Sequence, residues 1–342
     1  MSQQSAKRIC WLFFYGSTGG SAIKLTGSMR ALFSAVAALI FCCSATAAAV
    51  ELVIVYPQVR EPFARVFEEI VRGAEDGYEQ QVQRVAMTKN QSPVDFIHVL
   101  DRQSPVLVLG NRLARQAAEQ NTYHKVIVGA VNGDFDQVFG ISLTPSFEAI
   151  SSKLSFLVPA VKKIHVIAKP GTTVVDFDLA EGTLLHRGFA LVIHQAEDIR
   201  SAAGVYRNLM KTLDEDDAVW ILPNGSFVNN AMLSILLQAS WEKHFVVFSS
   251  NPVHVKRGAL FSVYPNNYKM GLSLGRLAQT VANDLSRSYD GVKNGAQQLS
   301  ETPKMQPLND VFVTFNERTS NHLGISLTDD MRGQIDLVLP AR

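Results

Sequence analysis

Past residue 49 this chain contains no cysteine: Cys10, Cys42 and Cys43 are its only three, and all fall before that point. The rest of the chain therefore has no disulfide, no thiolate metal site and no cysteine nucleophile. Charge of either sign in excess is also missing. The 32 Lys and Arg residues face 31 Asp and Glu, a net of +1, which argues against a nucleic-acid partner. The strongest uncharged apolar run, thirteen residues over 31–43, is short for a permanent membrane helix, which needs about 20. Two spacings that announce enzymes, H-E-x-x-H and G-x-G-x-x-G, do not occur. The eight histidines (98, 124, 165, 186, 194, 244, 254 and 322) show neither H-x-x-x-H nor H-x-H spacing, and His98, His165, His194 and His244 sit in or beside apolar runs. No metal and no cofactor is expected from them. Asp214 to Asp217 form an acid run just past a helical pattern, which reads as a solvated turn.

What is present begins with an export signal. Met29-Arg30 leads into "ALFSAVAALIFCC" and then "SATAAAVE": a basic start, a short apolar core and a small-residue zone with A-x-A cleavage after Ala47 or Ala49. Residues 1–49 are thus expected to be a signal peptide with an N-terminal extension. Met29 is its natural start, and "GSTGGSAIK" lacks the spacing of a phosphate loop. Phe41 stands where a lipoprotein signal wants a small residue before Cys42. The expected location is the periplasm. Without the four basic residues of this segment the balance becomes 28 basic to 31 acidic, a net of −3. About 290 residues remain, enough to be stable on their core alone.

From Glu51 on, apolar β-rich runs alternate with helical spacing. "LVIVY" (52–56), "VQRVAM" (82–87), "VLVLG" (106–110), "KVIVGAV" (125–131) and "VFGISL" (138–143) read as strands. Helices are expected through Phe63 to Val71, over 93–102 with Ser92 as cap and Pro93 first, and over 113–118. The series then restarts: helix 146–158, strand 163–168, a helix through 179–185, strand 189–194, helix 198–213, strand 218–222, helix 227–241 and strand 245–250. Strand 259–264, a helix of about twenty residues from Asn266, a loop over 290–310, strand 311–316 and a short helix end the chain. Strands apolar on both faces and separated by helices mean parallel sheets covered on both sides. Two such series mean two similar lobes: 50–144 with 252–302, and 145–251 with 303–342. Three crossings join them, near 143–146, 249–253 and 303–311.

Four stretches carry a family likeness: "GISLTPSFEAISSKLSFLVPAVKKIHVIAKPG", "AVWILPNGSFVNN", "HFVVFSSNPVHVKRGALFSVYPNNYKMGLSLGRLA" and "VFVTFNERTSNHLGISL". In their order and spacing the chain, over roughly 50–342, resembles the ABC-transporter substrate-binding proteins of the periplasmic-binding class I fold, in the branch of tryptophan- and tyrosine-type binding proteins. The resemblance implies an α/β protein of two Rossmann-like lobes on a three-segment hinge, closing on a small organic solute such as an amino acid. It implies a membrane permease as partner, a monomer and no enzymatic activity. The same fold also serves exported sensory domains that report to a membrane signalling protein, and the sequence leaves that alternative open.

In such sheets ligands sit where loops and helix N-termini converge at the carboxyl ends of the strands, and unpaired N–H groups there suit a carboxylate. The residues expected in those loops are Gln58 and Phe63, Asn111 and Arg112, Asn132 and Asp134, Asn224, Gly225 and Ser226, and Ser250 and Asn251. Ser226 would also cap the helix starting near Phe227. Arg112 suits a bidentate carboxylate. Asp134 suits an ammonium. Phe63, Phe227 and Tyr264 could stack on an aromatic solute. Helix capping and core packing explain the same residue types as well.

Overall fold

The computed structural model describes residues 50–101, 104–119, 125–132, 135, 138–172, 175–223, 227–292 and 304–340, with side chains to Arg287 in the last long helix. Residues 1–49 form a separate unit outside the described residues, and the expected signal peptide lies there.

The first series runs β1 (Leu52–Pro57), α1 (Phe63–Gly77), β2 (Val82–Met87), α2 (Val94–Ile97), β3 (Val106–Leu109), α3 (Asn111–Ala118), β4 (Val126–Val131) and β5 (Phe139–Pro145). The second runs α4 (Phe147–Leu157), β6 (Lys163–Ala168), α5 (Phe177–His186), β7 (Ala190–Gln195), α6 (Ile199–Thr212), β8 (Asp217–Ile221), α7 (Asn230–Lys243), β9 (Val246–Ser249), α8 (Pro252–Arg257) and β10 (Phe261–Pro265). The chain ends with α9 (Asn267–Val292), β11 (Met305–Leu308), β12 (Val311–Asn316), α10 (Glu317–His322), α11 (Asp329–Arg332) and β13 (Leu337–Leu339).

These strands form two sheets, ordered β11-β5-β4-β3-β1-β2 and β13-β12-β10-β9-β8-β6-β7. Every neighbouring pair is parallel except β10 with β12. Every residue of β3, β4, β8 and β9 is buried, as expected of central strands with helices on both faces. In the first sheet Val53, Val55, Val108 and Val128 pack to one side, and Leu52, Ile54, Leu107 and Ile127 to the other. The second sheet is likewise sandwiched, with Val166, Trp220, Phe248 and Phe261 on one face and Ile167, Val219, Ile221 and Val247 on the opposite one.

The structure redraws the expected lobe boundaries. Phe261 and Ser262 of β10 pair with Phe248 and Ser249 of β9, so 252–265 stay with the second sheet. The chain crosses at Pro265–Asn266 and not at 249–253. An apolar strand pattern says that 259–264 is a strand but not which sheet takes it up. Residues 305–308, expected in a loop, form β11 beside β5 at the edge of the first sheet. They carry only Met305 and Leu308 as apolar signal, and Pro307 is tolerated because the strand is an edge. The helix expected over 93–102 is the single turn α2. The nearly buried Lys125 draws off the carbonyls beyond it, with Nζ 3.1 Å from Ile97 O and 3.3 Å from Asp101 O.

One contact brings the late part of the chain back to the first sheet. Helices α1 and α9 cross at two G-x-x-x-G pairs, Gly73 with Gly77 and Gly271 with Gly275. A Cβ on Gly73 would lie 2.0 Å from Tyr268 O, and one on Gly271 would lie 2.1 Å from Ile70 O. No rotamer change relieves a clash with backbone. Glycine inside a helix normally costs about 1 kcal/mol relative to alanine, so Gly→Ala in an open helix stabilises. Here the sign reverses: Gly73→Ala and Gly271→Ala should each destabilise by roughly 1–3 kcal/mol or more. Gly204→Ala, with nothing within 4 Å of its Cβ position, should not. Denaturant unfolding of the three variants tests this.

Candidate functional site

The orders β2-β1-β3-β4-β5 and β7-β6-β8-β9-β10 are the same winding used twice. In each sheet the order reverses beside its first strand, between β1 and β3 and between β6 and β8, and crossovers there leave by opposite faces and open a crevice at the carboxyl ends. A concave site is found near that edge on each sheet. The first, of about 590 Å³, lies beside the end of β1 and is walled by Tyr56, Gln58, Val59, Glu68 and Arg72. The second, of about 460 Å³, lies at the end of β6 and is walled by Lys169, Thr172, Asp176, Phe177 and Gln195. Each is lined by elements of one sheet only.

Four of the five charged residues lining the first pocket, Arg65, Glu68, Glu69 and Arg72, are partnered. Arg65 Nε donates to Glu69 Oε1 at 3.3 Å, and Arg84 Nη1 donates to Glu68 Oε1 at 2.8 Å. Arg72 lies over the Tyr268 ring, 5.2 Å from its centre. The second pocket has Lys169 on its rim. Asp176 also turns one oxygen inward to cap α5, accepting from Leu179 N at 3.0 Å. Lys169, Thr172, Asp176, Phe177 and Gln195 escaped the sequence reading, which omitted the loop after β6. The signal was available, since strand 163–168 opens the second series as 52–56 opens the first, so its loop is the counterpart of 58–63.

The expected residues fall into groups. Asn111 and Asn132 meet: Asn132 N donates to Asn111 Oδ1 at 3.0 Å, joining the ends of β3 and β4. Ser250 and Asn251 follow β9, where Ser250 Oγ accepts from Trp220 Nε1 at 3.1 Å and Asn251 Oδ1 caps α8 through Val253 N at 3.0 Å. Gln58 lines the first pocket, and its N–H is spent on Met87 O at 2.8 Å. Phe63, at the first position of α1, is 64% exposed. Arg112 is turned away from the expected carboxylate role. Its guanidinium donates to Gln91 O at 3.1 Å and Thr88 O at 3.2 Å, fastening the loop after β2. Tyr264 sits on β10, with its hydroxyl 3.1 Å from Thr314 Oγ1 and its ring tilted on Phe312. Phe227 packs against the second lobe's core. Asn224, Gly225, Ser226 and Asp134 lie outside the described residues. The helix that Ser226 was expected to cap begins later, at Asn230, and Asn229 caps it by accepting from Met232 N at 2.9 Å. Among the described residues no group of three or more His, Cys, Asp or Glu is placed to hold a metal ion.

No family profile matches this chain, and no curated protein matches its sequence. Among solved structures it is similar to the ligand-free, open structure of a substrate-binding protein with adhesive properties from Clostridium difficile. That alignment has a TM-score of 0.59 and 15% identity and covers 85% of this chain and 99% of that one. An ABC domain in complex with L-Trp from Streptococcus pneumonia aligns with a TM-score of 0.49 and 14% identity over 84% of this chain and 99% of that one. A carbohydrate-transporter solute-binding protein from Agrobacterium radiobacter, in complex with D-arabinose, aligns at 0.40 and 12% over 85% and 100%. Identities this low speak for fold alone. The fold is the two-lobed α/β fold of class I periplasmic binding proteins. The narrower likeness to tryptophan- and tyrosine-type receptors does not follow from them.

Two outcomes are expected at these loops. Removing the Arg112 guanidinium by Arg112→Ala should cost about 1 kcal/mol in urea unfolding, the value of exposed backbone hydrogen bonds, while Arg112→Lys recovers only part of it. His254, 2.8 Å from Ser249 Oγ, is held below the ordinary histidine range, first by burial and then by the positive charge of Arg257. The folded state then binds fewer protons than the unfolded one below about 6.5. The stability His254 contributes is therefore full above that pH and lost as pH falls through its depressed value. Urea midpoints at pH 7.5 and 5.5 should differ less in His254→Gln than in the parent.

Proposed function

We propose that this chain is a periplasmic solute receptor of an ABC importer, whose two lobes close on a small organic solute such as an amino acid and present it to a membrane permease. The observation that carries this reading is the doubling: the same strand order twice, with a concave site at the carboxyl ends of each sheet and three chain crossings between the sheets. A hinge of that kind permits closure with the solute between the lobes. The export signal read at 29–49 supports the same reading. The pocket groups include both signs of charge, with aromatic rings Tyr56 and Phe177 among them, which suits a zwitterionic or amphipathic organic solute better than a bare ion.

The test is a thermal-shift screen of the full chain against amino acids, peptides, nucleosides, sugars and vitamins. A binder present at 100 times its Kd stabilises by about 2.7 kcal/mol, so a saturable rise in Tm is expected for one chemical class. Small-angle scattering with that compound should show a smaller radius of gyration. Lys169→Ala and Asn132→Ala should each weaken it tenfold or more. A screen in which no class raises Tm would sink the proposal.

A further inference from the structure

His165 on β6 and His194 on β7 meet at the edge of the second sheet, where neither H-x-H nor H-x-x-x-H spacing could reveal them. Nδ1 of His165 lies 3.1 Å from Nε2 of His194. The ring centres are 5.4 Å apart and the planes 20° apart. That is about the widest separation a 3.1 Å contact allows, so the N···N line passes close to both ring centres. Two rings sharing a metal ion need lone pairs that converge at an angle. These two point head-on, which is the geometry of one shared proton.

The other nitrogen of His165, Nε2, lies 3.2 Å from Oδ1 of Asp217. Asp217 is 3% exposed, and its Oδ2 accepts from Asp214 N at 3.0 Å. An ionised carboxylate only accepts, so His165 donates from Nε2 in every state of the group. With both rings neutral, His194 Nε2–H donates to the bare Nδ1 of His165. One added proton is accommodated without breaking anything: His165 becomes an imidazolium between Asp217 and His194, and the proton of His194 moves to its own Nδ1. A second proton is not accommodated, because it sets N–H against N–H and positive charge against positive charge. Burial first, and then the His165 charge, hold His194 below the usual histidine range.

The neighbours on every side do not replace that bond. Lys163 on β6 places Nζ 3.9 Å from Asp217 Oδ1 and adds positive charge. In the turn before β8, Asp216 is engaged by Lys162, and Asp214 and Glu215 lie on the same turn beside a surface pocket. On α6, packed over this face, Tyr206 is buried and its hydroxyl is pushed above its ordinary range, while Arg207 and Lys211 are exposed. Asp198, at the start of α6, is occupied in capping it.

His194 lies between Ile193 and Gln195, which both line the second pocket. Strand residues alternate faces, so the ring of His194 grips β6 on one side while its two neighbours form the pocket wall on the other. We infer that Asp217, His165 and His194 form a proton-gated clasp behind the second pocket, closed with up to one added proton and opened by a second, which lets the end of β7 move and so weakens the solute site at acidic pH. The inference takes the pocket to be half of the solute site and rests on that reading. The clasp itself is testable with no solute present.

The experiment is a pH titration of the full chain from 8 to 4.5 by NMR, following the ¹⁵N and ¹H shifts of the imidazoles and the amides of Ile193 and Gln195. Two macroscopic steps belonging to the pair, separated by more than about one pH unit, are expected, and the two amides should move with the lower step only. His194→Gln keeps an N–H donor for His165 but removes the second titration. In it the lower step and the amide response should both vanish. Independent titration of the two rings at one midpoint would overturn the inference, as would amides that stay still through the lower step or respond unchanged in His194→Gln. Failure of the solute screen alone leaves these readouts intact, so the two results separate.

Discussion

The backbone-to-backbone contact of α1 with α9 is the constraint from which most of the architecture follows. Four glycines let the two helices approach until carbonyl oxygens of one lie against α-carbons of the other, a distance at which weak Cα–H···O contacts and dispersion both contribute. Helix α1 belongs to the first βα series, whereas α9 arrives only after the whole second series has been built. Because α9 must dock there, the chain has to leave the second sheet after β10 and deliver β11 to the first. It must then return for β12. The first lobe is thereby made from two distant pieces of sequence, and the number of crossings between the sheets follows from that docking.

The crossings are tied to one another as well as to the sheets. Ser146 N donates to Leu308 O at 2.8 Å and Ser146 Oγ to Asn309 Oδ1 at 2.7 Å. Asn266 N donates to Asp310 O at 3.0 Å, and Ser273 Oγ to Asp310 Oδ2 at 2.7 Å. All three crossing segments thus share a short hydrogen-bonded layer. A small number of dihedrals beside such a layer can absorb a rigid-body rotation while the buried sheets stay packed. That is the mechanical property a closing receptor needs.

Much of the strand and helix order was legible because buried parallel strands write themselves as unbroken β-branched runs. "LVIVY", "VLVLG" and "AVWIL" each appear in the structure as buried strands. Less was legible where local signal is thin. Edge strand β11 buries one side chain fully and contains a proline, so nothing marked it. Asn111 and Asn132 were named as loop residues, but their mutual bond depends on β3 and β4 being neighbours. Arg112 was assigned by its chemistry, and the structure turns it toward two carbonyls that no sequence spacing places nearby.

The sequence by itself determined the class of the fold, because side-chain periodicity reports burial on one face or two. It also determined that the chain makes two similar series. Only the tertiary structure decided which sheet takes β10 and β11, since strand pairing is a contact between distant residues and leaves no local trace. The same holds for His165, His194 and Asp217. They lie far apart along the chain and lack any motif spacing, yet parallel strands β7, β6 and β8 bring them into one line of hydrogen bonds.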